Sequence, residues 1–106
     1  MANLVIAMYR PRDGKADVLL EEVSKHLPVL RELGLVTERK AVVLRAADGT
    51  LLEIFEWESE GAVKKAHDHP VVKQMWNRFE KVCTYVSLSD LEESKVPFPH
   101  FEPVDL

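Results

Sequence analysis

The sequence predicts an α+β fold, and three observations carry that reading. Runs rich in β-formers and runs with helical periodicity follow one another in the order strand, helix, strand, strand, helix, strand. The first run is apolar at both parities, as a strand inside a sheet is, and Asp48-Gly49 separates two later runs as a hairpin turn would. A right-handed crossover after the first strand then puts the helices on one face of an antiparallel sheet, the ferredoxin-like βαββαβ arrangement.

The first strand is "NLVIAMY", Asn3 to Tyr9, followed by a turn in "RPRDGKAD". Apolar residues then recur at Ala16, Leu19, Leu20, Val23, Leu27, Leu30 and Leu33, one face of a helix. Pro28 falls within it and is expected to kink or split it near Leu27; Gly34 is expected to end it. The run "VTERKAVVLRAADG" mixes charged with β-branched residues, which suits an edge strand. After the turn, "TLLEIFEW" places Leu51, Glu53, Phe55 and Trp57 on one face and Leu52, Ile54 and Glu56 on the other.

Ser59 is placed to cap a short helix from Glu60 to about His67, and Pro70 opens a second helix to about Val82 with Val72, Met75, Trp76, Phe79 and Val82 as its apolar stripe. "CTYVSLS", Cys83 to Ser89, reads as the fourth strand. Residues 1–106 form one domain on this reading, and the proline-rich tail 91–106 is expected to be extended and docked through Val96, Phe98 and Phe101. The first strand offers Leu4, Ile6 and Met8 to one side and Val5, Ala7 and Tyr9 to the other, and helices cover only one side. A homodimer packing two sheets face to face would remove the other from water.

Composition excludes several classes of function. The 106 residues are 46% hydrophobic and 30% charged, ordinary for a folded domain, and the net charge of −4 comes without a basic stripe for nucleic acid. The N-terminal apolar run is too short to span a membrane and lacks the features of a signal peptide. No membrane partner is expected on that ground, and Cys83, the single cysteine, makes a reducing cytoplasm the expected location. Glycine-rich phosphate loops and the Gly-x-Ser-x-Gly elbow are absent.

The strand end "FEWESE", the following "AVKKAHDHP" and the order of elements from Asn3 to about Leu91 resemble the antibiotic biosynthesis monooxygenase-like family of dimeric α/β barrels. The resemblance implies a dimeric barrel whose members oxygenate polyketide aromatics without a cofactor, degrade haem or act on quinones. The haem-degrading branch uses an asparagine in the first strand, a tryptophan on the helix after the third strand and a later histidine. This sequence has Met8 or a neighbour, Ala66 and Trp76 at those places, which disfavours haem degradation unless His67 or His69 ligates iron differently.

Among candidate residues, His67 adjoins Ala62 and Ala66 and is one residue type suited to act as a base near neutral pH; its competing role is a hydrogen bond at the helix end. His69 reads as part of the capping turn, and two histidines with no identified third ligand make a metal site a poor fit. Tyr9, Phe55, Trp57, Trp76, Phe79 and Tyr85 would line a cavity for a flat apolar ligand or simply form core. Glu53 shares the Phe55 and Trp57 face and joins the candidate ligand contacts; if that face is interior it must be paired or have a raised pKa. The expectation is a cofactor-independent monooxygenase acting on a phenol or quinol, with His67 as base; the alternatives are a non-catalytic small-ligand-binding or stress-related barrel and, further off, a haem-binding protein.

Overall fold

The computed structural model describes residues 1–106. Five strands and three helices follow in the order β1 (Asn3–Pro11), α1 (Ala16–Glu32), β2 (Val42–Arg45), β3 (Leu51–Trp57), α2 (Glu60–Asp68), α3 (Pro70–Val82), β4 (Cys83–Tyr85) and β5 (Glu102–Pro103). All pairings are antiparallel and the sheet order is β4-β1-β3-β2-β5. The first four strands thus take the ferredoxin-like order, with β1 central.

Local chemistry explains the element ends. Gly34, at φ 74°, closes α1 through bonds from its N–H to Arg31 O and from Leu35 N–H to Leu30 O. The β2–β3 turn places Gly49 at φ 93°, the left-handed region that glycine enters without a Cβ clash. Ser59 Oγ accepts from Ala62 N–H to start α2, and His69 Nδ1 accepts from Val71 N–H to start α3, with Pro70 in its first turn.

Three local expectations are corrected. Pro28 does not divide α1, which runs unbroken through it; its residues are held by the buried face of Leu19, Val23, Leu27 and Leu30, and packing outweighs one lost backbone bond. β4 is three residues long rather than seven, because Ser87 and Asp90 exchange hydrogen bonds in a capping box that turns the chain off the sheet. The tail 91–106 is not extended throughout: after a 3-10 turn at Leu88–Asp90, it makes another at Glu92–Lys95 before reaching β5.

That tail also changes the sheet edge. β5 pairs beside β2, so the charged run lies inside a five-stranded sheet rather than at its rim. Along the way the tail is pinned by Leu91 packed with Ala46 and Leu52, by Glu93 Oε2 accepting from Ala47 N–H at 2.8 Å, and by the Arg45–Glu102 pair at 3.1 Å. Phe101 packs against the same small cluster, whereas Val96 and Phe98 stand exposed, Phe98 by 82%.

The main core lies between the sheet and the helices. Cross-strand pairing sets Tyr9 opposite Leu51, Ala7 opposite Glu53 and Val5 opposite Phe55, all facing the helices. Leu19, Val23, Leu27 and Leu30 from α1 and Val72, Met75 and Phe79 from α3 pack onto that face. On the opposite face Met8, Leu44 and Leu52 are covered by the tail, while Leu4, Ile6 and Val42 remain exposed.

Candidate functional site

A carboxylate buried under two helices is the starting point, because an unpaired one would cost several kcal/mol. Glu53 is 1% exposed and sits on the helix-facing side of β3 among Phe55 and Trp57. Its Oε1 accepts from the Tyr9 hydroxyl at 2.8 Å and stands 2.8 Å from His26 Nδ1. Tyr9 is delivered by β1, whose register puts it two pairs along from Ala7–Glu53 and so on the same face, and His26 by the buried face of α1.

The proton positions follow from the donors. An indole N–H can only donate, and Trp76 Nε1 lies 3.0 Å from His26 Nε2. His26 Nε2 must therefore accept, which leaves the ring neutral with its proton on Nδ1, donated to Glu53. Burial, then the neighbouring Glu53 charge and hydrogen bond, push the Tyr9 phenol well above its ordinary value, so it serves as a fixed donor. Tyr9, Glu53, His26 and Trp76 form one continuous hydrogen-bonded chain across β1, β3, α1 and α3.

This chain borders a cavity of about 440 Å3. Its walls include Tyr9, His26, Phe55, Trp57, Trp76, Phe79 and Tyr85, with His67 among them. Ring packing fixes the walls: Phe79 lies 5.0 Å from Tyr9 and 5.2 Å from His26 between ring centroids, and Phe55 lies 5.3 Å from Trp57. A pocket of this size and apolar lining suits a ligand of one to three fused rings.

The structure brings together Tyr9, Phe55, Trp57, Trp76, Phe79, Tyr85 and His67 around that cavity; Glu53 stands behind Tyr9 and His26 and does not line it. His67 is exposed, forms no side-chain hydrogen bond to another residue and packs edge-on against Trp76 at 4.9 Å. His69 is the cap of α3. Cys83 is buried, and that burial pushes its thiol up to about 11, which keeps it protonated and a poor nucleophile. No three histidine, cysteine, aspartate or glutamate side chains cluster where they could hold a metal ion, and no helix is long and apolar enough to cross a membrane.

His26 is the residue that sequence reasoning missed. A polar side chain interrupting the apolar stripe of α1 reads as the helix's solvent side, yet position 26 lies three residues after Val23 and four before Leu30, both buried. The available signal was that spacing combined with a carboxylate on the facing strand in need of a partner.

No protein-family model, curated protein or solved structure matches the chain.

Proposed function

We propose that the protein binds a small electron-rich aromatic, a phenol or quinol, in the aromatic cavity and removes its hydroxyl proton so that the anion reacts with dioxygen without a cofactor. The observation that carries the reading is the neutral His26, held by its Nδ1–H on buried Glu53, with Nε2 directed to the Trp76 side of the cavity. A histidine oriented by a carboxylate is the usual construction of a general base, and the apolar walls exclude the water that would compete for the proton. The family resemblance in "FEWESE" and "AVKKAHDHP" agrees with this chemistry.

The steps balance with dioxygen as the only co-reactant. His26 Nε2 accepts the phenolic proton, the ring carbon opposite the hydroxyl forms a C–O bond to dioxygen, and the peroxide takes up a proton. With a phenol bearing hydrogen on that carbon, loss of water gives the quinone, one oxygen atom in the product and one in water; with a hydroquinone, which bears a hydroxyl there, hydrogen peroxide leaves instead and the quinone forms. Trp76 occupies Nε2 in the free protein, so a substrate hydroxyl must take its place. His67, at the mouth of the same cavity, is the second candidate base; the lack of an orienting partner makes it the weaker one.

A non-catalytic ligand-binding barrel is the competing reading, favoured by the fact that both His26 nitrogens are already bonded. Oxygen uptake by the purified protein with simple hydroquinones, without added flavin, haem or metal, separates the two.

We further propose that the active form is a homodimer joined through the exposed sheet face. Leu4, Ile6 and Val42 stand there 58%, 40% and 51% exposed, with Glu56 opposite Leu4 and paired to Arg39 at 3.2 Å. Four strands spaced ~4.8 Å apart give a footprint of roughly 20 by 20 Å, about 400 Å2. A stable interface takes about 800 Å2 per partner, so the sheet alone falls short. The exposed Val96 and Phe98 of the tail supply further apolar area beside it. A second copy presents a face of the same size and polarity, which makes it the occupant that fits.

A further inference from the structure

A second cavity, of about 620 Å3, lies between α1, β2 and the chain's last residues, bordered by Val23, Ser24, Leu27, Ala41, Val43 and Val104. Glu53 also borders it. The division is clear: Glu53 lines this cavity and not the aromatic one, whereas Tyr9 and His26 line the aromatic cavity and not this one.

The two carboxylate oxygens are correspondingly distinct. Both hydrogen bonds of Glu53 fall on Oε1, one from Tyr9 and one from His26. Oε2 has no protein partner, yet no fully buried side-chain oxygen lacks one. Glu53 lines the second cavity, so Oε2, which no protein donor holds, is the oxygen that water there can reach. At its rim stand Arg31 and Lys40, so the cavity is wet at the mouth and floored by an anion.

We infer that Glu53 is a two-sided relay, connecting His26 in the aromatic cavity to water in the second cavity and letting the histidine exchange its proton with solvent while a ligand fills the aromatic side. The inference rests on the role of His26 as base. When Nε2 has taken a proton, the Nδ1–H bond of the imidazolium breaks as a Glu53 O–H bond forms. That O–H lies on Oε1, so the carboxyl turns about its Cγ–Cδ bond to present it to the second cavity, where the O–H bond breaks as the proton joins water. One proton leaves and no electron moves; the ring is left neutral with its proton on Nε2, and the Nδ1–H form returns when water resupplies Nδ1 by the reverse path and Nε2 gives its proton to the peroxide. Glu53 touches no ligand in this scheme; it acts through His26, and Tyr9 bonds the oxygen that faces it before and after the turn.

The test uses the intact chain without substrate, so it reads the relay whether or not the protein turns over a quinol. Hydrogen–deuterium exchange of the His26 Nδ1 proton is followed by NMR in three variants. Ser24→Phe fills the second cavity from α1, Val86→Trp narrows the aromatic cavity, and Glu53→Gln keeps an oxygen for Tyr9 and His26 but cannot carry the proton. The expected result is exchange slowed by about tenfold or more in Ser24→Phe and Glu53→Gln, and within about twofold of the parent in Val86→Trp. Ala41→Leu fills the same second cavity from β2 and replaces Ser24→Phe if that variant does not fold. Unchanged exchange on filling the second cavity, or on Glu53→Gln, overturns the relay; so does slowing by Val86→Trp equal to that of the cavity-filling variant.

Discussion

Trp76 Nε1 donates to His26 Nε2 over 3.0 Å, and this one bond decides the tautomer of a buried histidine whose other nitrogen lies 2.8 Å from Glu53. It also means that α3 occupies His26 Nε2 until something else bonds to it.

Replacing Trp76 by Phe keeps an aromatic ring in the cavity wall and removes the donor. The expected outcome is a mixture of His26 tautomers in 15N NMR where the parent shows only the Nδ1–H form, with a stability loss of about 1 kcal/mol for one hydrogen bond. A single unchanged tautomer would mean that Glu53 alone orients the ring.

Glu53→Ala leaves the Tyr9 hydroxyl and the His26 Nδ1–H without an acceptor in the core. A loss of about 3–5 kcal/mol is expected in denaturant unfolding. Glu53→Gln, which retains an acceptor, is expected to lose clearly less. Equal losses in the two variants would show that charge rather than hydrogen bonding makes Glu53 matter.

Cys83 yields a pH prediction. Burial raises its folded pKa from the ordinary 9.0 to about 11, so the unfolded chain releases this proton first as pH rises. Its contribution to stability is therefore complete below about pH 9 and is lost as pH climbs towards about 11. Cys83→Ala should unfold with a flatter pH dependence than the parent across that window. In the native parent at pH 8, iodoacetamide should leave the thiol unmodified until denaturant is added.

The dimer has its own test. Ile6→Asp places a charge in the middle of the exposed sheet face without touching the helix-side core. Light scattering at micromolar concentration should give twice 12.1 kDa for the parent and 12.1 kDa for the variant. Deleting Val96 to Leu106 should weaken the dimer or lower the melting temperature, since it removes β5 as well as Phe98. A 12.1 kDa parent would contradict the proposed face.

The element order was legible because each signal was local: the periodicity of α1 and α3, the Asp48-Gly49 turn, the cap at Ser59 and the first-turn Pro70. What was not legible depended on distant partners. The early end of β4 and the return of the tail to β2 rest on contacts such as Leu91 with Leu52 and Glu102 with Arg45. In the site, the face shared by Glu53, Phe55 and Trp57 could be read from strand parity, and its burial required a partner for the carboxylate. The partner, His26, is 27 residues away in sequence and one helix over in space, so strand parity could not name it. His67 drew attention through its motif, while its position at the cavity mouth without an orienting bond was a matter of how α2 meets α3.

The account turns on His26 as the base, and oxygen consumption with a hydroquinone series in cofactor-free buffer measures that most directly. The parent should consume oxygen and form quinone above the background rate. His26→Gln, shown to be folded by circular dichroism, should fall to background, a loss of about 10²-fold or more for a general base, and His67→Ala should keep most of the rate and nearly all of the stability. A parent no faster than background, or a loss confined to His67→Ala, would contradict the account.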